Sequence, residues 1–454
     1  GISRAVGRGG DAVPSQVELD GGSRFAASRA PDVDMGSNAG GTRRMASLSR
    51  DSYQASSSYT NLAPEARADF DRLLGSAGKS DKLDDALLRL LEDGKLGKTD
   101  MDGKTLLDNL VALKENPRHV NFRHLSDDIY ESTVRHVDDI GSIHQGDNGT
   151  CAATSAQINQ ANHRPADYVR TINELSTERK ARLMKDGEFM EVNDRSTTLF
   201  DGETGEPIAD PRDIVSRIYQ PTLMDQASKV HQVNGVRYEY DPNMRTETVK
   251  RIDANGKEVE ITRELEGWAA KYSNERGGFR AYDAKTGERV DKLVDGYREV
   301  SDGLTPQEQK FLFEKLLDQK GYRTRNHGLL DVEQAYLDSL KPGQKVDINH
   351  PDIAKLHDYL KYLSMEAESG NAAVQMGLKW GGGGHAVVLA GQTPDGNFII
   401  KNPQMNSRDM VRSGPPRTVD VAVLGAERAE QGYSIMTPED LIAVYKSVVY
   451  TELK

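Results

Sequence analysis

A single cysteine among 454 residues constrains this chain more than any other feature. No internal disulfide can form, so a packed core must stabilise the fold, and folding does not require an oxidising compartment. A chain of this length exceeds what one hydrophobic core usually fills, and we expect two or three structural units.

Cys151 follows a polar, glycine-containing loop at 144–150 and opens a run of small residues that can form a helix. A thiol at a helix start feels the positive end of the helix dipole, which favours thiolate. The Gln145 amide and a backbone N–H at the helix start are suited to hold an oxyanion. Gly146 and Gly149 allow the loop to turn that amide toward the sulfur. The alternative is a small buried apolar residue, the usual role of a lone cysteine.

A second motif, far downstream, favours the interpretation of Cys151 as a reactive thiol over that of a buried apolar residue. Two apolar, β-rich runs flank a Pro-Asp-Gly turn, which predicts a β-hairpin. Pairing these strands about a centre between Thr393 and Pro394 sets His385 opposite Asn402. An amide acceptor on one imidazole nitrogen fixes the tautomer and leaves the other nitrogen to face a thiol.

These two segments resemble the papain-like cysteine peptidases, above all the calpain and staphopain types. In those types Gln-Gly also precedes the cysteine, and Gly-His-Ala and Asn-Pro segments follow in the same order. The resemblance implies that Cys151 is the nucleophile and His385 the general base and acid. It also implies that Asn402 orients the histidine and that Gln145 donates to the oxyanion.

The glycines around these motifs are candidate substrate contacts. Gly149 precedes the cysteine, and Gly383 and Gly384 precede the histidine, where a substrate backbone can approach closely. The resemblance has departures: Ala152 and Gln404 stand where calpain-type enzymes usually have tryptophan.

The predicted fold class is α+β, with a papain-like arrangement of the nucleophile helix against a twisted antiparallel sheet. Residues 1–62 are rich in Gly, Ser and Arg and predict a disordered tail. Apolar stripes at helical spacing predict a helical subdomain at 63–140, for which a proenzyme role stays open. The catalytic domain is expected at 141–454, with a mixed α/β insertion at about 164–370.

Several local patterns give further expectations. One charged helix is predicted at 168–184, and strand-like residues flank an Asp/Gly turn at 202–205. Asp210 is predicted to cap a helix that Pro221 ends. A final helix is predicted from Pro438 through Val448.

No cofactor or metal is expected. One cysteine and scattered histidines supply no ligand cluster at zinc spacings. The string at 100–103 hints at a calcium loop, but Lys98 stands where a carboxylate is required. A helix cap by Asp102 is the favoured interpretation of that string.

The charge and composition of the chain limit the kinds of binding partner that we expect. The net charge of −12 argues against nucleic acid or an anionic membrane as the main partner. No apolar run approaches the roughly 20 residues of a membrane span, and no secretory signal is visible. We expect a cytoplasmic protein or one secreted by a dedicated non-classical system.

The function expected from these features is a thiol-dependent hydrolase that cleaves peptide or isopeptide bonds in a protein or peptide substrate. These features suit a secreted bacterial effector or toxin, and an ordinary cytoplasmic peptidase would show much the same features. Glutamine deamidation and amide acyl transfer share the same acyl-enzyme step and stay open. A non-catalytic binding module on a peptidase fold is the remaining alternative.

Overall fold

The computed structural model describes most of the chain from residue 48 to residue 453. The described residues are 48–76, 81–146, 148–183, 187–197, 210–230, 235–252, 256, 258–265, 275–290, 303–317, 323–380, 383–404, 418–419 and 431–453. Most of the predicted tail and the predicted turn at 202–205 lie outside the described residues.

Helices come first along the described chain, up to Glu178, and strands are mixed with helices beyond that point. The helices are α1 (Ser57–Thr60), α2 (Pro64–Ser76), α3 (Asp81–Glu92), α4 (Leu106–Glu115), α5 (Ser126–Asp138), α6 (Cys151–His163), α7 (Pro165–Glu178), α8 (Ile214–Ser228), α9 (Pro306–Leu316), α10 (Asp331–Ser339), α11 (Ala354–Glu368) and α12 (Pro438–Val444). The strands are β1 (Lys180–Arg182), β2 (Phe189–Glu191), β3 (Val236–Ile252), β4 (Glu258–Glu264), β5 (Glu275–Asp283), β6 (Arg323–Gly328), β7 (Ala372–Trp380), β8 (Gly383–Gln392), β9 (Phe398–Lys401), β10 (Thr418–Val419), β11 (Tyr433–Met436) and β12 (Tyr445–Glu452).

The main sheet has the strand order β10-β11-β9-β8-β7-β12-β6, with every described pair antiparallel. Successive side chains of β8 point to opposite faces, as strand geometry requires. Ala386 and Val388 join the apolar core that includes α6, whereas Val387 and Leu389 join a second core beneath α11. The mixed helix and antiparallel-sheet content agrees with the predicted α+β class.

The three apolar stripes predicted before the nucleophile segment form α2, α3 and α4. Their side chains share one apolar core with α6, so this region is not a separate globule. The predicted cap at Asp102 is wrong, because Thr105 caps α4 and forms a capping box with Asp108. The Asp102 carboxylate instead pairs with Arg182.

The boundary of the predicted disordered tail is also wrong. Residues 53–60 form a 3-10 turn and α1, and both tyrosines in this stretch are buried. The hydroxyls of Tyr53 and Tyr59 each donate to Asp71 at 2.8 Å. Burial and these two hydrogen bonds tie the segment to α2, a contact that its polar composition did not indicate.

Much of the predicted insertion at about 164–370 belongs to the main fold. The edge strand β6 pairs with β12, α9 packs against α6, and α11 packs against β8. A separate three-stranded sheet, in the order β4-β3-β5, contacts α8 through β3. These elements are therefore part of the framework that supports α6.

Three predicted helices end elsewhere than expected. The helix predicted at 168–184 ends at Glu178, where Arg179 adopts a φ of 61° before β1 begins. The helix predicted to end at Pro221 is capped by Asp213, not Asp210, and continues to Ser228. Proline costs one helical hydrogen bond, but nearly complete burial of α8 offsets that loss.

The final helix ends at Val444, and the residues beyond it form β12. β12 lies between β7 and β6, so backbone pairing on both sides overrides its helical pattern. Within the described residues, no helix combines the length and apolar character needed to cross a membrane.

Candidate active site

Cys151 is the first residue of α6, as the sequence predicted. Backbone N–H groups of Cys151, Ala152 and Ala386 donate to its sulfur. The first two come from the helix start, and the third comes from β8. The lone cysteine is half-buried, and it packs against the main apolar core.

Two opposing effects set the protonation of this thiol. The three backbone donors favour thiolate, in the direction predicted from the helix start. Burial of the thiol group is the larger effect and raises the pKa of Cys151 above its ordinary value. The resting group is therefore a thiol, and its activation requires a base.

His385 lies in β8 and is buried, with its Nε2 at 2.7 Å from Asn402 Oδ1. Asn402 Oδ1 also accepts the backbone N–H of Gln404 at 3.1 Å. Two donors thus converge on this oxygen, so His385 carries its proton on Nε2 and Nδ1 is the basic nitrogen. The predicted orienting contact between His385 and Asn402 is present.

Burial lowers the pKa of His385 to about 4, while the hydrogen bond to Asn402 opposes that shift. The imidazole is therefore neutral at pH 7 and able to accept a proton. A neutral thiol and a neutral imidazole are the resting forms that the two environments favour.

The hairpin that carries this pair has a different register from the predicted one. Pairing about its predicted centre would set Lys401 opposite Ala386, whereas the structure pairs Lys401 with Val388. A shift between Leu389 and Gly391 further alters the ladder. Asn402 therefore lies just beyond β9, and its side chain, rather than direct strand pairing, reaches His385.

The nucleophile helix and the histidine strand are joined at the site. Ala386, the neighbour of His385, donates its backbone N–H to the Cys151 sulfur. Its carbonyl accepts the hydroxyl of Ser155 at 3.3 Å, one turn further along α6. The sequence-predicted nucleophile and base thus belong to segments in direct contact.

Gln145 is buried within the nucleophile loop. Its Nε2 donates to the carbonyl of Asn148 at 2.8 Å, and its backbone N–H donates to the carbonyl of Pro403 at 2.8 Å. One amide proton is therefore used by the loop, and the second is the donor left for an oxyanion. The bond to Pro403 links this loop to the Asn-Pro segment.

The two loop glycines differ in their surroundings. Gly146 has a φ of +57°, and a Cβ there would lie 2.9 Å from Pro211 Cγ. Gly149 is exposed, and a Cβ there would meet nothing within 4 Å. Of the histidine-side glycines, Gly384 lies in β8 with Lys446 Nζ 3.5 Å from its Cβ position, and Gly383 pairs with Trp380. Substrate contact by Gly149, Gly383 and Gly384 stays a prediction.

A buried lysine, Lys401, lies next to Asn402 and contacts the segment that leads into the nucleophile loop. Lys401 Nζ donates to the carbonyl of Gln431 and lies 3.5 Å from the carbonyls of Gly141 and Asn402. Burial lowers its pKa to about 7, and the charge of Asp139 opposes that shift. Gly141 leads directly into the nucleophile loop.

The three-stranded sheet also approaches this loop. In the orientation that its neighbours favour, the Asn148 amide donates to the Pro242 carbonyl and accepts from Arg212 Nη2, both at 3.2 Å. The φ of Gly277 is +84°, and a Cβ there would lie 2.0 Å from the Tyr240 hydroxyl. Glycine is therefore required at position 277 for the sheet to come this close.

Sequence reasoning missed the groups that hold the loop from outside. These are the carbonyl of Pro403 and a buried polar side chain of α8, Gln220, which contacts both ends of the loop. No local pattern marks either group. Gln220 was hidden because the helix was expected to stop at the following proline.

Within the described residues, no group of three or more His, Cys, Asp or Glu side chains is arranged to hold a metal ion. Compared with models of known protein families, the chain matches none, and no curated protein is significantly similar to it.

Proposed function

We propose that this protein is a thiol-dependent hydrolase that cleaves peptide or isopeptide bonds in a protein or peptide substrate. One observation carries the proposal: the segment of an asparagine-bound histidine donates a backbone N–H to the sulfur of the lone cysteine. This arrangement supports roles for Cys151 as nucleophile, His385 as base and Asn402 as orienting amide.

The protonation states support a defined first step. Neutral His385 takes the proton of the Cys151 thiol through Nδ1 as the sulfur forms a bond to the substrate carbonyl carbon. The resulting imidazolium is stabilised by the acceptor oxygen of Asn402. The backbone N–H of Cys151 and the second amide proton of Gln145 are the candidate donors to the oxyanion.

The remaining steps return the enzyme to its resting form. The imidazolium gives its proton to the leaving amine as the carbon–nitrogen bond breaks, which leaves a thioester on Cys151. A water molecule, deprotonated by His385, then adds to the thioester carbonyl. The carbon–sulfur bond breaks, the acid is released, and the thiol regains its proton.

The proposal is tested by labelling with an electrophilic peptide probe under reducing conditions. Because Cys151 is the sole thiol, labelling reports on this residue alone. We expect rapid labelling of the wild type, none of Cys151→Ala, and much slower labelling of His385→Ala. His357→Ala is the matched control, since His357 is only partly buried and lies on α11.

Equal labelling of the wild type and His385→Ala would overturn the proposal, because the histidine would then have no part in activating the thiol. Mass spectrometry of an offered protein substrate identifies the reaction. Backbone or isopeptide cleavage supports the hydrolase, whereas conversion of glutamine to glutamate identifies a deamidase with the same nucleophile.

A further inference from the structure

Gln220 of α8 is a buried carboxamide whose hydrogen bonds all go to polar groups near the nucleophile loop. Its Nε2 donates to the carbonyl of His144 at 3.0 Å and to Gln157 Oε1 at 2.9 Å. Its Oε1 accepts the Thr150 hydroxyl at 2.9 Å and Arg212 Nη1 at 3.2 Å. Both hydrogens and both lone pairs of the amide are therefore used.

Two of these partners are the two ends of one loop. His144 begins the loop and Thr150 ends it, directly before Cys151. Between them lies Gln145, the predicted oxyanion donor. A single amide group thus fixes the distance between the end that presents Gln145 and the end that presents the nucleophile.

The anchor is itself held rigidly. Arg212 forms an ion pair with Asp210, with Nη2 at 2.6 Å from Oδ2, and both side chains are almost wholly buried. Gln157 lies on α6 and also donates to the hydroxyl of Tyr168 at 2.9 Å. Hydrogen bonds to all of its polar atoms give the Gln220 amide one orientation, so it holds His144 and Thr150 at a fixed separation.

We propose that Gln220 is a positioning residue of the active site, which holds both ends of loop 144–150 so that the oxyanion donors stay aligned with the sulfur. This inference rests on the proposed function. Displacing a reacting group by about 1 Å can cost on the order of 100-fold in rate. We therefore expect loss of this amide to lower kcat with little change in KM.

The test compares two matched glutamines at the interface of α6 and α8. Gln220→Met keeps the size of the side chain and removes its hydrogen bonds. Gln160→Met is the control, because Gln160 is equally buried and accepts the Tyr219 hydroxyl at 2.5 Å, but no described bond joins it to the loop. Unfolding in urea measures the stability lost by each variant.

Two reactions of Cys151 separate positioning from mere packing. Alkylation by iodoacetamide needs the thiol but no oxyanion donor, whereas turnover of a peptide ester or amide needs both. Gln220→Met is expected to lose about 10- to 100-fold in kcat while alkylation stays near the wild-type rate. Gln160→Met is expected to retain both rates.

Thr150 supplies the test if Gln220→Met does not fold. Thr150→Val removes the hydroxyl that meets Gln220, and Thr150→Ser keeps it. We expect the valine variant to lower kcat and the serine variant to restore it.

Turnover by Gln220→Met equal to that of Gln160→Met, or by Thr150→Val equal to that of Thr150→Ser, would overturn the positioning role. In that case wild-type turnover would leave the proposed function standing. Absence of wild-type turnover, with equal labelling of His385→Ala, would instead overturn the proposed function itself.

Discussion

The two sides of the candidate active site are held together in different ways. On the histidine side, His385 and Asn402 lie 17 residues apart in one hairpin and contact each other directly. On the nucleophile side, the loop before Cys151 depends on Gln220, whose bond to His144 spans 76 residues, and on Pro403. One side is built by local chain reversal, and the other by long-range polar contacts.

This difference shows which parts of an active site a sequence motif can predict. A hairpin brings its two ends close wherever its turn forms, so the nearness of His385 and Asn402 follows from sequence even though the predicted register is wrong. A glycine-containing loop has many conformations, and distant partners select one of them. The following experiments test this contrast, from the largest expected effect to the smallest.

Replacing the base should have the largest effect on activity. His385→Ala is expected to lower kcat/KM by about 10²–10⁴-fold, since general acid–base catalysis contributes that much. Steady-state turnover of a peptide substrate measures the loss, with His357→Ala as control. A loss no greater than that of the control would remove the histidine side from the catalytic machinery.

Removing the oxyanion donor tests the nucleophile side. Gln145→Ala should lower kcat by about 10²–10³-fold, as loss of one oxyanion donor typically does. Gln392→Ala is the matched control, because Gln392 also donates from Nε2 to a nearby backbone carbonyl, that of Gly396 at 2.7 Å. Equal kcat values for the two variants would show that the Gln145 amide serves only the loop.

Asn402→Ala should change the pH profile more than the maximal rate. The hydrogen bond to Asn402 raises the pKa of His385, which burial lowers to about 4. Its loss therefore moves the acid limb of the kcat/KM profile to lower pH. We expect about a fivefold fall in rate, as for loss of one neutral hydrogen bond of about 1 kcal/mol. The control is Asn397→Ala, in the hairpin turn, which should leave the acid limb of the kcat/KM profile at its wild-type pH. A shift of this limb to higher pH in Asn402→Ala would contradict the orienting role of Asn402.

Lys401→Met tests whether the buried lysine between the histidine side and the nucleophile side makes the free energy of unfolding depend on pH. Burial lowers the pKa of Lys401 from 10.5 to about 7 in the folded chain. Between these values the unfolded chain binds a proton that the folded chain lacks, so this lysine makes stability rise with pH. Urea unfolding at intervals from pH 6 to about 10 should show a smaller rise in Lys401→Met than in the wild type. The exposed Lys379→Met should keep the wild-type slope, and an unchanged slope in Lys401→Met would contradict the buried environment of this lysine.

The two loop glycines give the smallest expected effect and a sharp local contrast. Gly149→Ala should change stability by less than about 0.5 kcal/mol, because its Cβ position is open. Gly146→Ala should destabilise by about 1–3 kcal/mol, because its φ is positive and Pro211 is close. Thermal unfolding measures both changes. A raised KM in stable Gly149→Ala would support the predicted substrate contact, and an unchanged KM would oppose it.

Local patterns predicted many elements correctly. The helix that opens at Cys151, the strand that carries His385 and the apolar helices α2 to α4 all follow from periodicity, glycine punctuation and capping residues. The same patterns failed at α8 and β12. In both places, burial or strand pairing outweighed a local stop signal or a helical propensity of smaller size.

The sequence by itself determined which side chains carry the candidate chemistry, because a lone thiol, a glycine-flanked histidine and a hairpin asparagine are fixed by residue identity and short-range geometry. Only the tertiary structure decided their electrostatic state and alignment. Burial makes the thiol and the imidazole neutral at rest, against the effect of the helix start. The desolvation of Cys151 and His385 and the hydrogen bonds from Gln220 to the nucleophile loop depend on atoms of distant segments. No local pattern encodes where those segments pack.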